Sequence, residues 1–149
     1  MSELHEIALQ ILSKGKGILA ADESTSTMTK RLDSVNIISN ENNRLLFRQT
    51  LFSSSSMKEC IGGVILYDET IRQKTSNGKT IPELIHSSGS LTGIKVDTGA
   101  KILAGSEKEK ITEGLDGLRE RLKDYYKLGA RFTKWRGVYL INDKYPSDL

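Results

Sequence analysis

Cysteine and histidine are nearly missing from this sequence. Cys60 is the only cysteine among 149 residues, so the chain cannot close an internal disulfide, and a reducing compartment is expected. His5 and His86 are the only histidines, and neither has a Cys or carboxylate cluster at metal-ligand spacing beside it. That excludes a His- or Cys-rich zinc centre and argues against a histidine-based catalytic triad; both histidines are expected as surface or structural residues. No apolar run approaches the ~18 residues that a membrane helix needs. The start, Met1-Ser2-Glu3-Leu4-His5-Glu6, is acidic and has no apolar stretch of signal-peptide length, so secretion is not expected. An excess of one charge sign is also missing. The 22 Lys and Arg against 19 Asp and Glu leave a net charge of +3, spread along the chain, without the concentrated basic face that nucleic acid demands. What remains is an ordinary globular composition, 37% hydrophobic and 28% charged, at a length suited to one domain.

Within that domain, apolar runs alternate with helical patterns. Leu4, Ile7, Ala8, Ile11 and Leu12 recur at helical spacing and predict an amphipathic first helix that stops at Gly15-Lys16-Gly17. Residues 18–21 then read as a short buried strand, followed by a polar stretch over 24–29 and a helical region over 40–52 carrying Leu45, Leu46 and Leu51. A second strand is expected over 61–67, where Gly62-Gly63 marks close packing, and a helix start at Ile81-Pro82-Glu83. Residues 91–96 predict a third strand and 99–110 a loop. Leu115, Leu118, Leu122 and Tyr125 place a long helix over 112–128, ended by Gly129, and a fourth strand is expected from 132 to about 140. Tyr125 and Tyr126 are expected to put one ring in the core and one at the surface, and Trp135 to pack between sheet and helix. Buried runs separated by helices mean β-α-β units and a parallel sheet.

Every predicted strand ends in polar residues: Asp22-Glu23-Ser24, Asp68-Glu69, Lys95-Val96-Asp97 and Lys134-Trp135-Arg136. In parallel α/β folds ligands bind at the carboxyl ends of the strands. Asp22, Lys95 and Lys134 can therefore meet at one end of the sheet, and Lys134 and Arg136, two residues apart, face the same side. Several cations around one site favour an anionic ligand and free a neighbouring amine for nucleophilic work, while a carboxylate among them can move protons. The alternative is that these charges only solvate strand ends, and spacing alone does not choose between the two. Gly15-Lys16-Gly17 is not a phosphate loop, since it precedes the strand and no G-x-x-x-x-G-K-S/T follows.

The segment Gly15-Lys16-Gly17-Ile18-Leu19-Ala20-Ala21-Asp22-Glu23-Ser24-Thr25 closely resembles the opening of class I (Schiff-base) fructose-1,6-bisphosphate aldolases. The resemblance continues, in the same order, through Gly62-Gly63-Val64-Ile65-Leu66, Gly93-Ile94-Lys95-Val96-Asp97, Glu113-Gly114-Leu115-Asp116-Gly117-Leu118 and Lys134-Trp135-Arg136, nearly the whole chain. It implies an α/β fold, a TIM barrel with its active site on the carboxyl face, in a cytoplasmic glycolytic lyase that uses neither metal nor cofactor. It also implies reversible cleavage of fructose 1,6-bisphosphate to dihydroxyacetone phosphate and glyceraldehyde 3-phosphate through an imine.

By the same resemblance, Asp22 matches the proton-transferring aspartate and Lys134 the lysine that stabilises charge near the reacting carbonyl. Lys95 and Arg136 match phosphate-side cations, and Ser24, Thr27, Arg31 and Arg44 fall at substrate- or phosphate-contacting positions. Thr27 replaces a serine common in the animal enzymes and keeps its hydroxyl. A full barrel takes roughly 250 residues, so residues 1–149 are expected to form a single partial domain, about four β-α units, the N-terminal half of the barrel. The family's Schiff-base lysine and its general acid–base glutamates have no counterpart here. The alternative function is therefore a catalytically inactive half-barrel. Its open strand edges predict a homo-oligomer, with a sugar phosphate as the small-molecule partner and neither nucleic acid nor membrane.

Overall fold

The order of strands in the sheet decides the architecture. The computed structural model describes residues 2–148. Its main sheet is parallel, with β1 (Gly17–Ala21), β2 (Ile61–Leu66), β3 (Leu91–Lys95) and β6 (Ala130–Lys134) lying side by side in chain order. Each connection thus steps to the adjacent strand in one direction. Because β-α-β crossovers are right-handed, such a sheet collects its helices on a single face and winds toward a barrel rather than a doubly covered sheet.

The connections carry α1 (Glu3–Ile11) and a 3-10 turn (Ser13–Gly15) before β1; α2 (Thr25–Asp33), α3 (Glu41–Phe52) and α4 (Met57–Cys60) after it; and α5 (Asp68–Arg72) with α6 (Ile81–Ser87) after β2. Pro82 lies in the first turn of α6, which begins in a capping box: Thr80 Oγ1 accepts from the Glu83 N–H while the Glu83 carboxylate accepts from the Thr80 N–H. The helix-side core gathers Ala21, Val64, Leu66, Ile94 and Val96 from the sheet against Phe52, Met57, Ile71, Ile81, Ile85 and Tyr125 from the helices. No described helix is long and apolar enough to cross a membrane.

Several boundaries differ from the sequence reading. The polar stretch 24–29 opens α2, because Ser24 caps it by accepting from the Thr27 N–H, and its buried residues Met28 and Leu32 lie four apart. The expected loop 99–110 contains β4 (Gly99–Ile102), which pairs antiparallel with β5 (Lys110–Glu113). This hairpin takes the first residues assigned to the long helix. The helix, α7 (Leu118–Lys127), starts only after Gly114 and Gly117, whose positive φ of 129° and 64° breaks helical geometry between β5 and α7. The fourth strand ends at Lys134 rather than near 140.

Packing differs too. Leu4 and Leu12 of the expected apolar stripe of α1 are exposed, leaving Ile11 as its buried contact. In α3 the buried residues are Arg48 and Phe52 while Leu46 is exposed. Trp135 is partly exposed rather than enclosed. Tyr125 is buried and Tyr126 exposed, as expected.

On the face away from the helices, backbone register arranges the side chains in rows. Ala20 pairs with Ile65, Ile65 with Gly93, and Gly93 with Phe132. The Phe132 ring lies where a Cβ on Gly93 would stand, 2.4 Å away, and 2.9 Å from the corresponding point on Gly63. Gly62 is as constrained, since its Cβ would fall 1.9 Å from the Ile11 carbonyl oxygen. A register shift between Thr92/Gly93 and β6 keeps Phe132 and Lys134 on this face although Ala130, of the same parity, is in the helix-side core.

Candidate functional site

One row beyond Ala20, Ile65, Gly93 and Phe132, the two-residue strand period delivers Asp22, Tyr67, Lys95 and Lys134 at the carboxyl ends of the four parallel strands. Two residues further come Asp97 and Arg136. These six side chains line one cleft of about 590 Å³, walled by Glu23, Ser24, Ser26 and Thr27 at the start of α2, by Arg31 in its last turn, and by Thr98, Gly99 and Ala100 at the entry of the β4–β5 hairpin.

Ion pairs organise the cleft. The Lys134 ammonium donates to Asp22 Oδ2, joining the carboxyl ends of the first and last strands of the sheet. Lys95 Nζ lies 2.8 Å from Asp97 Oδ1 and donates to the Asp97 carbonyl at 3.0 Å. Burial alone would raise the Asp97 carboxyl, but the bond and charge of Lys95, with the N–H groups of Arg136 and Gly99, outweigh it and hold the group below the usual carboxylate range. Arg31 Nη1 donates to Glu23 Oε1 at 2.5 Å. Among the described residues Arg136 has no carboxylate partner; its backbone N–H donates to Asp97 Oδ2, and its carbonyl accepts from Thr112 Oγ1 at 2.6 Å, tying the β5 strand to the cleft rim. Four cations (Arg31, Lys95, Lys134, Arg136) thus face three carboxylates (Asp22, Glu23, Asp97). The surplus is one positive charge, which suits an anionic ligand.

Behind this wall lies a second cluster. Arg48 is completely buried, and its Nη2 donates to the Glu23 carbonyl at 2.5 Å. Its Nη1 stands 3.6 Å from Glu69 Oε2, and its Nη2 4.0 Å from Glu23 Oε2. Burial lowers the Arg48 guanidinium from its usual value, against the pull of Glu23 and Glu69.

Seven of the eight residues singled out from the sequence line the cleft: Asp22, Ser24, Thr27, Arg31, Lys95, Lys134 and Arg136. Arg44 does not. It belongs to α3, on the helix side of the sheet, and its guanidinium grips Glu69, with Nε donating to Oε2 at 3.0 Å and Nη2 to Oε1 at 2.5 Å. Asp68, two residues past the end of β2, also points elsewhere, accepting from Arg72 and from the Tyr125 hydroxyl. The sequence reading missed Tyr67 and the wall at 98–100. Tyr67 was within reach of the strand period, standing two residues after Ile65 as Lys95 stands two after Gly93. The hairpin gave no signal that a loop would not give. Among the described residues no three His, Cys, Asp or Glu side chains are grouped to hold a metal ion.

The family model of class I fructose-bisphosphate aldolase matches residues 3–149. The chain is 50% identical over 147 residues to a probable fructose-bisphosphate aldolase class 1 of Xanthomonas axonopodis pv. citri, covering 99% of this chain and 44% of that protein. It is 52% identical over 148 residues to fructose-bisphosphate aldolase C of Mus musculus, covering 99% of this chain and 41% of the mouse protein. The fold superimposes with a TM-score of 0.94 and 44% identity on fructose-bisphosphate aldolase from Plasmodium falciparum, solved with TRAP and a small-molecule inhibitor, over 98% of this chain and 43% of that one. The chain therefore spans less than half the length of the relatives it matches.

Proposed function

The chain belongs to the class I fructose-bisphosphate aldolase family, and on that premise we propose that its cleft binds a sugar bisphosphate, fructose 1,6-bisphosphate, for reversible cleavage to dihydroxyacetone phosphate and glyceraldehyde 3-phosphate in glycolysis. One observation carries the reading: a single row of side chains at the strand ends sets Asp22 against Lys134 in a cleft whose lining carries one surplus positive charge.

The roles follow from position. Arg136 and Arg31, at the rim, take phosphate oxygens, and Lys95 adds a third cation below them. Ser24 and Thr27 supply hydroxyls beside the amino end of α2, where peptide N–H groups favour anions. Lys134 faces the charge that develops on the reacting carbonyl oxygen, and Asp22 passes protons at the substrate hydroxyls.

The covalent route of this reading runs through a protonated imine, an electron sink as the carbon–carbon bond breaks, and requires an amine with a free lone pair. Lys95 and Lys134 both donate to carboxylates. They are assigned to binding and charge stabilisation, and neither is assigned the imine. That engagement also favours a second reading, a binding half-site that holds a triose phosphate without cleaving a bond.

The exposed free thiol of Cys60 supports a reducing, cytoplasmic setting. The edge positions of β1 and β6 support a homo-oligomer.

Borohydride trapping with dihydroxyacetone phosphate, read by intact mass beside a fructose 1,6-bisphosphate cleavage assay, tests the assignment. Cleavage with an adduct supports the full reaction. Saturable phosphate-ester binding without an adduct supports the half-site. An adduct on Lys95 or Lys134 overturns the roles given to them, and the absence of any phosphate-ester binding overturns the reading of the cleft.

A further inference from the structure

Each carboxylate lining the cleft serves a cation of the cleft, so an incoming anion must break or share an ion pair. The three pairs are not equivalent. Among the described residues Asp22 and Asp97 have no second charged partner to turn to if Lys134 or Lys95 leaves, whereas Glu23 has one behind it. Glu23 Oε1 accepts from Arg31, which is half exposed. Glu23 Oε2 is buried, has no hydrogen bond, and lies 4.0 Å from Arg48 Nη2. Arg48 is itself unsatisfied: its Nε and Nη1 are buried without an acceptor, and its one hydrogen bond reaches the Glu23 backbone. The unmet Glu23 Oε2 thus faces the buried guanidinium through Nη2, the nitrogen that already holds the Glu23 carbonyl, across a gap that a small movement of Glu23 would close, while the unmet Nη1 stands 3.6 Å from Glu69 Oε2. Leaving such groups unmet costs free energy that the movement would recover.

We propose that Glu23 is a latch between two arginines: it holds Arg31 beside the cleft, and it shifts onto Arg48 when Arg31 turns to take the oxygens of a phosphate monoester. Arg48 never touches the ligand. It is a positioning residue that lowers the cost of freeing Arg31, so the affinity of the cleft for phosphate depends on a guanidinium on the far side of Glu23. The inference rests on reading the cleft as a phosphate site, and it adds how that site releases its own cation.

The test is a titration of the 149-residue chain, carrying nitrogen-15 arginine, with inorganic phosphate followed by NMR. Glu23→Gln keeps the backbone carbonyl that Arg48 uses and removes the charge that holds Arg31. It should tighten phosphate binding about tenfold, and less than about twofold in an Arg31→Ala background. In the native chain saturating phosphate should also move the Arg48 Nε–H resonance, a response absent from Glu23→Gln. Equal factors in the two backgrounds would mean a simple field effect and would overturn the latch, as would an Arg48 signal that stays still at saturation. If Arg31→Ala alone leaves phosphate affinity unchanged, the phosphate role of Arg31 fails, and the latch with it. If Arg31→Ala weakens binding but Glu23→Gln does not couple to it, the latch alone fails.

Discussion

Lys134 reaches Asp22 across the mouth of the sheet, 112 residues away in sequence and from the opposite edge strand. Register and curvature bring them together: both lie in the same inward row, and the sheet bends far enough for a lysine side chain to span from its last strand to its first. The bond therefore serves two ends. It links the two edge strands of the sheet at the carboxyl face, and it fixes the Asp22 carboxylate in the cleft.

Replacing Lys134 by Met should lower stability by about 1–2 kcal/mol, since it strips the ion partner from a nearly buried Asp22 that is only partly compensated by water. Lys134→Arg should retain most of that stability. In the double variant with Asp22→Asn the losses should be less than additive, because both changes remove one bond. Urea midpoints of the four chains decide the matter, and strict additivity would mean that the pair does not hold the edges together.

Gly93 is glycine because of Phe132. The ring occupies the space of a side chain on Gly93, so Gly93→Ala must push Phe132 from its place, at a cost of about 1–3 kcal/mol. Phe132→Leu in the same chain should recover part of the loss by withdrawing the ring. Thermal unfolding of the two variants is the measurement. A Gly93→Ala melt matching the native one would show that the row tolerates a larger residue.

Stability should fall at acid pH, and the direction follows from three carboxyls held below their ordinary range. Asp97 is held there by Lys95 and backbone N–H groups against the effect of burial, Glu83 by the Thr80 backbone and hydroxyl, and Glu109 by the Ser147 hydroxyl and N–H with Ser106 assisting. A depressed carboxyl contributes stability that is complete above its unfolded value, about 4, and that is lost as pH falls through the folded value. Urea midpoints should therefore be flat in these groups from pH 7 to 5 and should decline below about 4. Asp97→Asn should lose stability at neutral pH and decline less steeply in acid. An unchanged acid slope in that variant would remove the Lys95–Asp97 pair from the account.

The sequence disclosed much of this site because a parallel sheet converts spacing into geometry. Polar residues just past each apolar run must emerge at one end of the sheet, and residues two apart must share a face, which is how Asp22, Lys95, Lys134 and Arg136 were found together. Arg44, which the resemblance and not the strand spacing put forward, lies outside the cleft because its side chain is claimed by Glu69 from another connection, a partner 25 residues away that no local pattern announces. Spacing says nothing of Arg48, since a charge on a helix reads as solvent-facing until tertiary structure encloses it. The β4–β5 hairpin was lost for a different reason: Leu115 and the leucines after it suggested a helix that ran too early, and only the positive φ of Gly114 and Gly117 stops it.

The sheet edges give the last prediction. β1 and β6 are each paired on one side only, and Ile18, on the inward face of β1, is 47% exposed. Leu115, just before α7, and Tyr126 on α7 are exposed beside Leu118 and Leu122. Edges of this kind recruit further strands, and a second copy turned about the barrel axis would set β6 of each chain parallel to β1 of the other. The 149-residue chain should accordingly scatter light as a dimer or larger. Ile18→Lys, which puts a charge on the inward face of the edge strand, should shift it toward monomer without unfolding it. A native chain that is monodisperse and monomeric at micromolar concentration would rule out pairing through these edges.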